Sequence, residues 1–131
     1  MSGDPLAGLL VDGEEIDRTR LASVLQELVA IDERSGEVVL KPGYNRLSSR
    51  QRILAYLLGR KASVLLGKSE AEAASPKTVA SETGMPTGTV NPKLTELLAD
   101  RLVQKTQGSE YYIAPALLSE AIGEMEKKEA K

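Results

Sequence analysis

The sequence predicts a mainly α-helical fold carrying small β-hairpins. Apolar residues recur at three- and four-residue steps in four long stretches, the period of one helical face. Short β-branched or aromatic runs come in pairs around polar segments that contain glycine, the pattern of antiparallel hairpins. Aromatic residues make up 3% of the 131 residues and all are Tyr, so the core must be assembled from Leu, Val, Ile and Ala, which favours helices.

The first stretch carries Ile16, Leu21, Val24, Leu25 and Leu28 behind an acidic run that begins at Asp12, and acids at a helix start complement the helix dipole. Val29, Ala30 and Ile31 then face Val38, Val39 and Leu40 across a polar loop, where Gly36 supplies the left-handed conformation that closes a short hairpin. Pro42 and Gly43 end the second strand. Ser48 or Ser49 caps the next helix, whose apolar positions Ile53, Leu54, Leu57, Leu58, Val64 and Leu65 continue to Gly67. This is the expected central core helix. Residues 68 to 75 form a small-residue, Glu/Ala-rich connection, open between a loop and a helical extension.

Ser75 as N-cap and Pro76 at the first helical position start a short helix with Val79 and Ala80 inward, and Gly84 stops it. The following helix puts Val90, Leu94, Leu97, Leu98 and Leu102 on one face. Residues 103 to 105 and 111 to 113 then bracket residues 106 to 110 as a second hairpin. A last helix, from Pro115 to about Lys128, has Leu118, Ala121, Ile122 and Met125 as its stripe.

The chain contains no cysteine and no histidine. Disulfides, thiolate nucleophiles, the usual transition-metal sites and the commonest general base are removed together, so catalysis would have to rest on carboxylates, Lys, Ser or Tyr. The expectation is a protein that is not an enzyme and needs no cofactor. Residues 1 to 10 show neither a basic region nor a long apolar run, which points to a cytoplasmic protein outside the membrane.

The net charge of −2 argues against a polyanion partner until its distribution is considered. Residues 1 to 40 hold three arginines against nine acids, a net of −6; residues 41 to 105 hold eleven bases against five acids, a net of +6; the remainder carries −2. Basic charge is thus concentrated in the stretch with two short helices and the second hairpin, as a nucleic-acid face requires.

A helix, a tight glycine turn, a second helix and a two-stranded wing form the arrangement that lays one helix in the DNA major groove while the hairpin reaches the backbone. Packing by Val79, Met85, Val90 and Leu94 leaves Thr87, Gly88, Thr89, Asn91 and Lys93 on the outer face of the second helix. Thr contacts a thymine methyl or a phosphate, and Asn pairs with adenine through two hydrogen bonds. Lys77 and Thr78 stand at a helix N-terminus, where backbone amides favour an anion. Arg46, Arg50 and Arg52 add candidate phosphate contacts, and Lys105, Gln107 and Ser109 belong to the wing.

The run from Val79 through Gly84, Met85, Pro86, Thr87, Gly88, Thr89, Val90, Asn91, Pro92, Lys93 and Leu94, with Leu97, Leu102, Val103 and residues 111 to 113, resembles the winged helix-turn-helix transcriptional regulators. The Gly-Thr-Val-x-Pro-x-Leu stretch is similar to the PadR-like pattern in particular, and more broadly to the MarR-like repressors. The resemblance covers about the C-terminal two-thirds and implies a dimer that binds palindromic operators in the nucleoid and is held together by terminal helices. Residues 1 to 45 lie outside it.

Pro92 leaves two alternatives. Either Asn91 caps a helix starting at Pro92, or the helix starts near Thr87 and tolerates Pro92 close to its N-terminus. In the first, Asn91 is structural rather than a base reader. The division expected is an acidic helix-and-hairpin extension over 1 to 45, a winged helix-turn-helix domain over 46 to 114, and a C-terminal helix over 115 to 131. The stripe of that helix has two possible partners, its own core or a second subunit. Residues 21 to 42 parallel residues 94 to 115, each a helix leading into a hairpin and then Pro, although that combination is common enough to arise by chance. The acidic extension suits contact with a protein. A winged-helix adaptor that never reads bases is therefore the alternative to a DNA-binding regulator of homodimeric form.

Overall fold

A computed structural model describes residues 5, 6 and 13 to 129. Asp12 and most of residues 1 to 10, read above for a dipole-favoured helix start and for targeting signals, lie outside the described residues, as does the side chain of Ile16. Helix α1 (Gly13–Leu25) leads into strands β1 (Val29–Ile31) and β2 (Val38–Leu40), a 3-10 turn at Pro42–Arg46 and the long helix α2 (Ser49–Leu65). Helices α3 (Pro76–Thr83) and α4 (Thr87–Ala99) follow, then strands β3 (Gln104–Lys105) and β4 (Tyr111–Tyr112), a second 3-10 turn at Pro115–Leu117 and helix α5 (Leu118–Glu129). The described fold is mainly helical with two small antiparallel hairpins, as expected.

Helix α2 is the central element and packs against α1, α3, α4, α5, β1, β2 and β4. Its residues Ile53, Leu54, Leu57 and Leu58 are almost fully excluded from solvent, along with Val79, Val90, Leu94, Leu97, Ile113, Ile122 and Met125 from the elements around it. Leu21, Val24 and Leu25 of α1 join the same core. All three expected segments therefore share one apolar interior. The stripe of α5 is among the most buried surface, with Ala121 and Ile122 at 0% exposure. Of the two partners open to that stripe, its own chain takes it.

The local devices read from sequence act as chemistry dictates. Ser48, not Ser49, caps α2, its hydroxyl oxygen accepting from the Gln51 N–H at 3.3 Å. Ser75 does the same for α3 toward Thr78 at 3.1 Å, with Pro76 in the first turn. Gly84 ends α3 at φ +72°, a left-handed geometry that glycine adopts without steric cost. In the first hairpin Val29 pairs with Leu40, Ala30 with Val39 and Ile31 with Val38. Gly36 turns it at φ +77°, and its carbonyl accepts from buried Ser63 Oγ at 2.7 Å.

The connection over 68 to 75 is a loop held by charge. Arg60 donates to the carbonyls of Ala71, Glu72 and Ala73 at 3.0 to 3.1 Å, and buried Lys61 pairs with Glu72 at 3.0 Å. Ala74 then exchanges two backbone hydrogen bonds with Tyr111 (2.8 and 2.9 Å), adding a third rung beside β4. The parallel between the chain halves also extends in element order: α1, β1 and β2 lead through a proline-started 3-10 turn into α2, and α4, β3 and β4 do likewise into α5. Among the described residues no helix is long and apolar enough to cross a membrane.

Candidate nucleic-acid interface

Helix α4 starts at Thr87 behind Pro86. Asn91 thus lies in its second turn, which removes the alternative in which Asn91 caps a helix starting at Pro92. One face of α4 is closed by Val90, Leu94 and Leu97, each at 0% exposure. Thr87, Gly88, Asn91, Pro92 and Thr95 are exposed on the rest, with Thr89 and Lys93 half-buried. Pro92 has no N–H to return to the carbonyl of Gly88, one turn back. Gly88 and Pro92 both lie on the exposed side of α4, so the carbonyl that loses its i+4 donor is not enclosed in the core.

Helix α3 brings Lys77, exposed and without an ion pair among the described residues. Thr78 is half-buried, its Oγ1 accepting from Ser75 Oγ at 3.1 Å within the cap. In the second hairpin Gln104 pairs with Tyr112 and Lys105 with Tyr111. The Lys105 Nζ sits 5.7 Å from the centroid of the Tyr111 ring, which holds the ammonium at the hairpin surface by its attraction to the ring face. Gln107 and Ser109 are exposed in the loop, and Ser109 takes a left-handed φ of +62°. Thr106 Oγ1 organises that loop by accepting from the N–H groups of Gly108 (3.2 Å) and Glu110 (3.1 Å).

Two of the three arginines expected to touch phosphate are engaged inside the chain. Arg50 Nη1 lies 2.8 Å from Asp100 Oδ2 and 3.1 Å from Glu96 Oε1, and its Nε lies 3.3 Å from Glu124 Oε2. One guanidinium thus ties α2 to α4 and α5, and a phosphate would have to displace three carboxylates. The hydrogen bond from Arg50, with a further one from Lys93, holds the Glu96 carboxyl below the usual glutamate range. Arg52 donates to the carbonyls of Leu47 (3.1 Å) and Asn45 (2.9 Å) and lies 6.0 Å from the centroid of the Tyr44 ring. It fastens the first 3-10 turn to α2. Arg46, at the end of that turn, is exposed and forms no ion pair among the described residues. Lys93 pairs with Glu96 at 3.4 Å.

Two features had no reading in the sequence. Arg60 donates to the Tyr56 hydroxyl at 3.0 Å as well as to the loop carbonyls; the four-residue spacing of Tyr56 and Arg60 on a helix was the available signal. Burial, the largest influence, pushes the Tyr56 hydroxyl pKa up. The second feature is an apolar groove of about 230 Å³ between α1, β1 and the end of α2, lined chiefly by Leu21, Ala22, Leu25, Ile31, Leu65 and Leu66. Leu66 is 57% exposed at this groove. Ala22, Ile31 and Leu66 fall off the stripes that define the core, which is the trace they leave in the sequence. No lining residue belongs to α3, α4 or the second hairpin.

Comparison with family models, curated proteins and solved structures finds no match to this chain.

Proposed function

We propose that the chain is a winged helix-turn-helix protein that binds double-stranded DNA, with α4 in the major groove and the β3–β4 hairpin as the wing, and that it serves as a transcriptional regulator without catalysis. The observation that carries this reading is the division of α4: one face is closed by Val90, Leu94 and Leu97 at 0% exposure, and the other leaves the small residues Thr87, Gly88 and Asn91 exposed. The Ala74–Tyr111 bridge supports it by tying the start of α3 to the hairpin, so that helix and wing are held as one unit. Reading by two copies on paired half-sites would multiply the affinity of a single recognition helix. The buried α5 stripe is not the surface that would join them.

The test is binding to random-sequence duplex DNA as a function of salt. With Lys77, Lys93, Lys105 and Arg46 as the contacts, each chain neutralises about four phosphates, which sets a slope of log K against log salt of about −3.6. Lys77→Glu weakens binding and flattens the slope by about one. Absence of binding at low salt overturns the reading.

A second reading, a winged-helix module that engages a protein, is favoured by the apolar groove together with the internal use of Arg50 and Arg52. Its signature in the same titration is no DNA binding at any salt.

A further inference from the structure

Resting on the DNA-binding reading, we infer that Gly88 and Asn91 form a base-reading pair on α4 and that Gly88 reads through its backbone carbonyl, selecting a base with an exocyclic amino group in the major groove. In an α-helix each carbonyl is taken by the N–H four residues on. For Gly88 that residue is Pro92, which has none. The carbonyl is an acceptor in want of a donor, on a face where Gly88, Asn91 and Pro92 are all exposed.

The fold itself gives no reason for either residue. A Cβ built on Gly88 meets no atom within 4 Å, and the glycine φ is not in the left-handed range, so alanine would fit and would make a better helix. Pro92 is likewise exposed, where almost any other residue would close the missing hydrogen bond. Two helix-weakening residues one turn apart leave a glycine carbonyl without its i+4 donor, beside an exposed asparagine. Absence of a side chain is what permits a backbone to approach a ligand closely.

In the major groove the hydrogen-bond donors are the N6 amino group of adenine and the N4 amino group of cytosine. The Gly88 carbonyl accepts from one of these. Asn91, three residues on and therefore a neighbour on the helix surface, pairs with an adenine through both atoms of its amide. The recognised site then combines an adenine read by Asn91 with a second pair whose adenine or cytosine lies on the strand that Gly88 faces.

The experiment enriches binding sites from a randomised duplex pool with the parent protein, Gly88→Ala and Pro92→Ala, and measures affinity for the enriched duplex and for one carrying purine in place of each adenine in turn. Both variants are expected to melt no lower than the parent, so misfolding cannot explain a loss. Each should lose about tenfold in affinity for the enriched duplex and with it the parent's sequence preference, and purine at the read adenine should cost the parent a similar factor. If both variants keep the parent's preference and affinity, the inference fails while DNA binding stands. If the parent binds duplex but enriches no sequence, the inference also fails. If the parent binds no duplex at all, the reading beneath it fails.

Discussion

Gly36→Ala probes the joint between the first hairpin and α2. Two costs add there. At φ +77° any residue with a Cβ is strained by about 1–2 kcal/mol. The new Cβ would also stand 2.2 Å from the Lys68 carbonyl oxygen, 2.9 Å from its carbon and 3.1 Å from Ser63 Oγ. That carbonyl is backbone, so relieving the overlap means moving the chain itself rather than turning a side chain. Forcing such an overlap adds about 1–3 kcal/mol, for a total of about 2–5 kcal/mol. Gly67→Ala is the internal control: its φ is +74° but nothing lies within 4 Å of its Cβ, so about 1–2 kcal/mol is expected. The loss of unfolded-chain entropy is common to both substitutions and cancels in their difference. Urea unfolding monitored by far-ultraviolet circular dichroism measures both, compared at equal slope. Should the two variants agree within about 0.5 kcal/mol, the close approach of hairpin and helix is not a constraint on the fold.

Arg50→Gln should lower the thermal midpoint, since it leaves Glu96, Asp100 and Glu124 facing one another, and should leave the salt slope of DNA binding where it was. A slope reduced by one would return Arg50 to the list of phosphate contacts. Stability should also fall in acid. The folded-state pKa of Glu96 is depressed by Arg50 and then Lys93, and that of Glu126 by Arg20. Each therefore contributes stability that is present above the ordinary glutamate value of about 4.3 and is lost as pH falls through the lower, folded value. A Glu96→Gln, Glu126→Gln double variant should show a flatter melting profile between pH 5 and pH 3, and a profile parallel to that of the parent would show that these pairs do not matter to stability.

The elements were legible because their causes are local. Apolar spacing, the serine caps and the glycines that end α3 and turn the first hairpin act between residues a few positions apart, so helices and hairpins could be placed from the chain alone. The exposure of Thr87, Gly88 and Asn91 on α4 followed from the same spacing, whereas Thr89 and Lys93, expected beside them, are half-buried. What sequence could not decide was the fate of long polar side chains. Arg50 meets Glu96 and Glu124, 46 and 74 residues away, and no local pattern distinguishes it from Arg46 or Lys77, which remain exposed. The start of α4, left open by Pro92, and the partner of the α5 stripe were decided by packing too, since only the assembled core shows that Val90 and Ile122 are already covered. Sequence by itself determined which segments are helical and which faces are apolar. Tertiary structure decided which charges are available to a partner, because the position of each guanidinium depends on carboxylates and carbonyls that only the folded chain brings within reach.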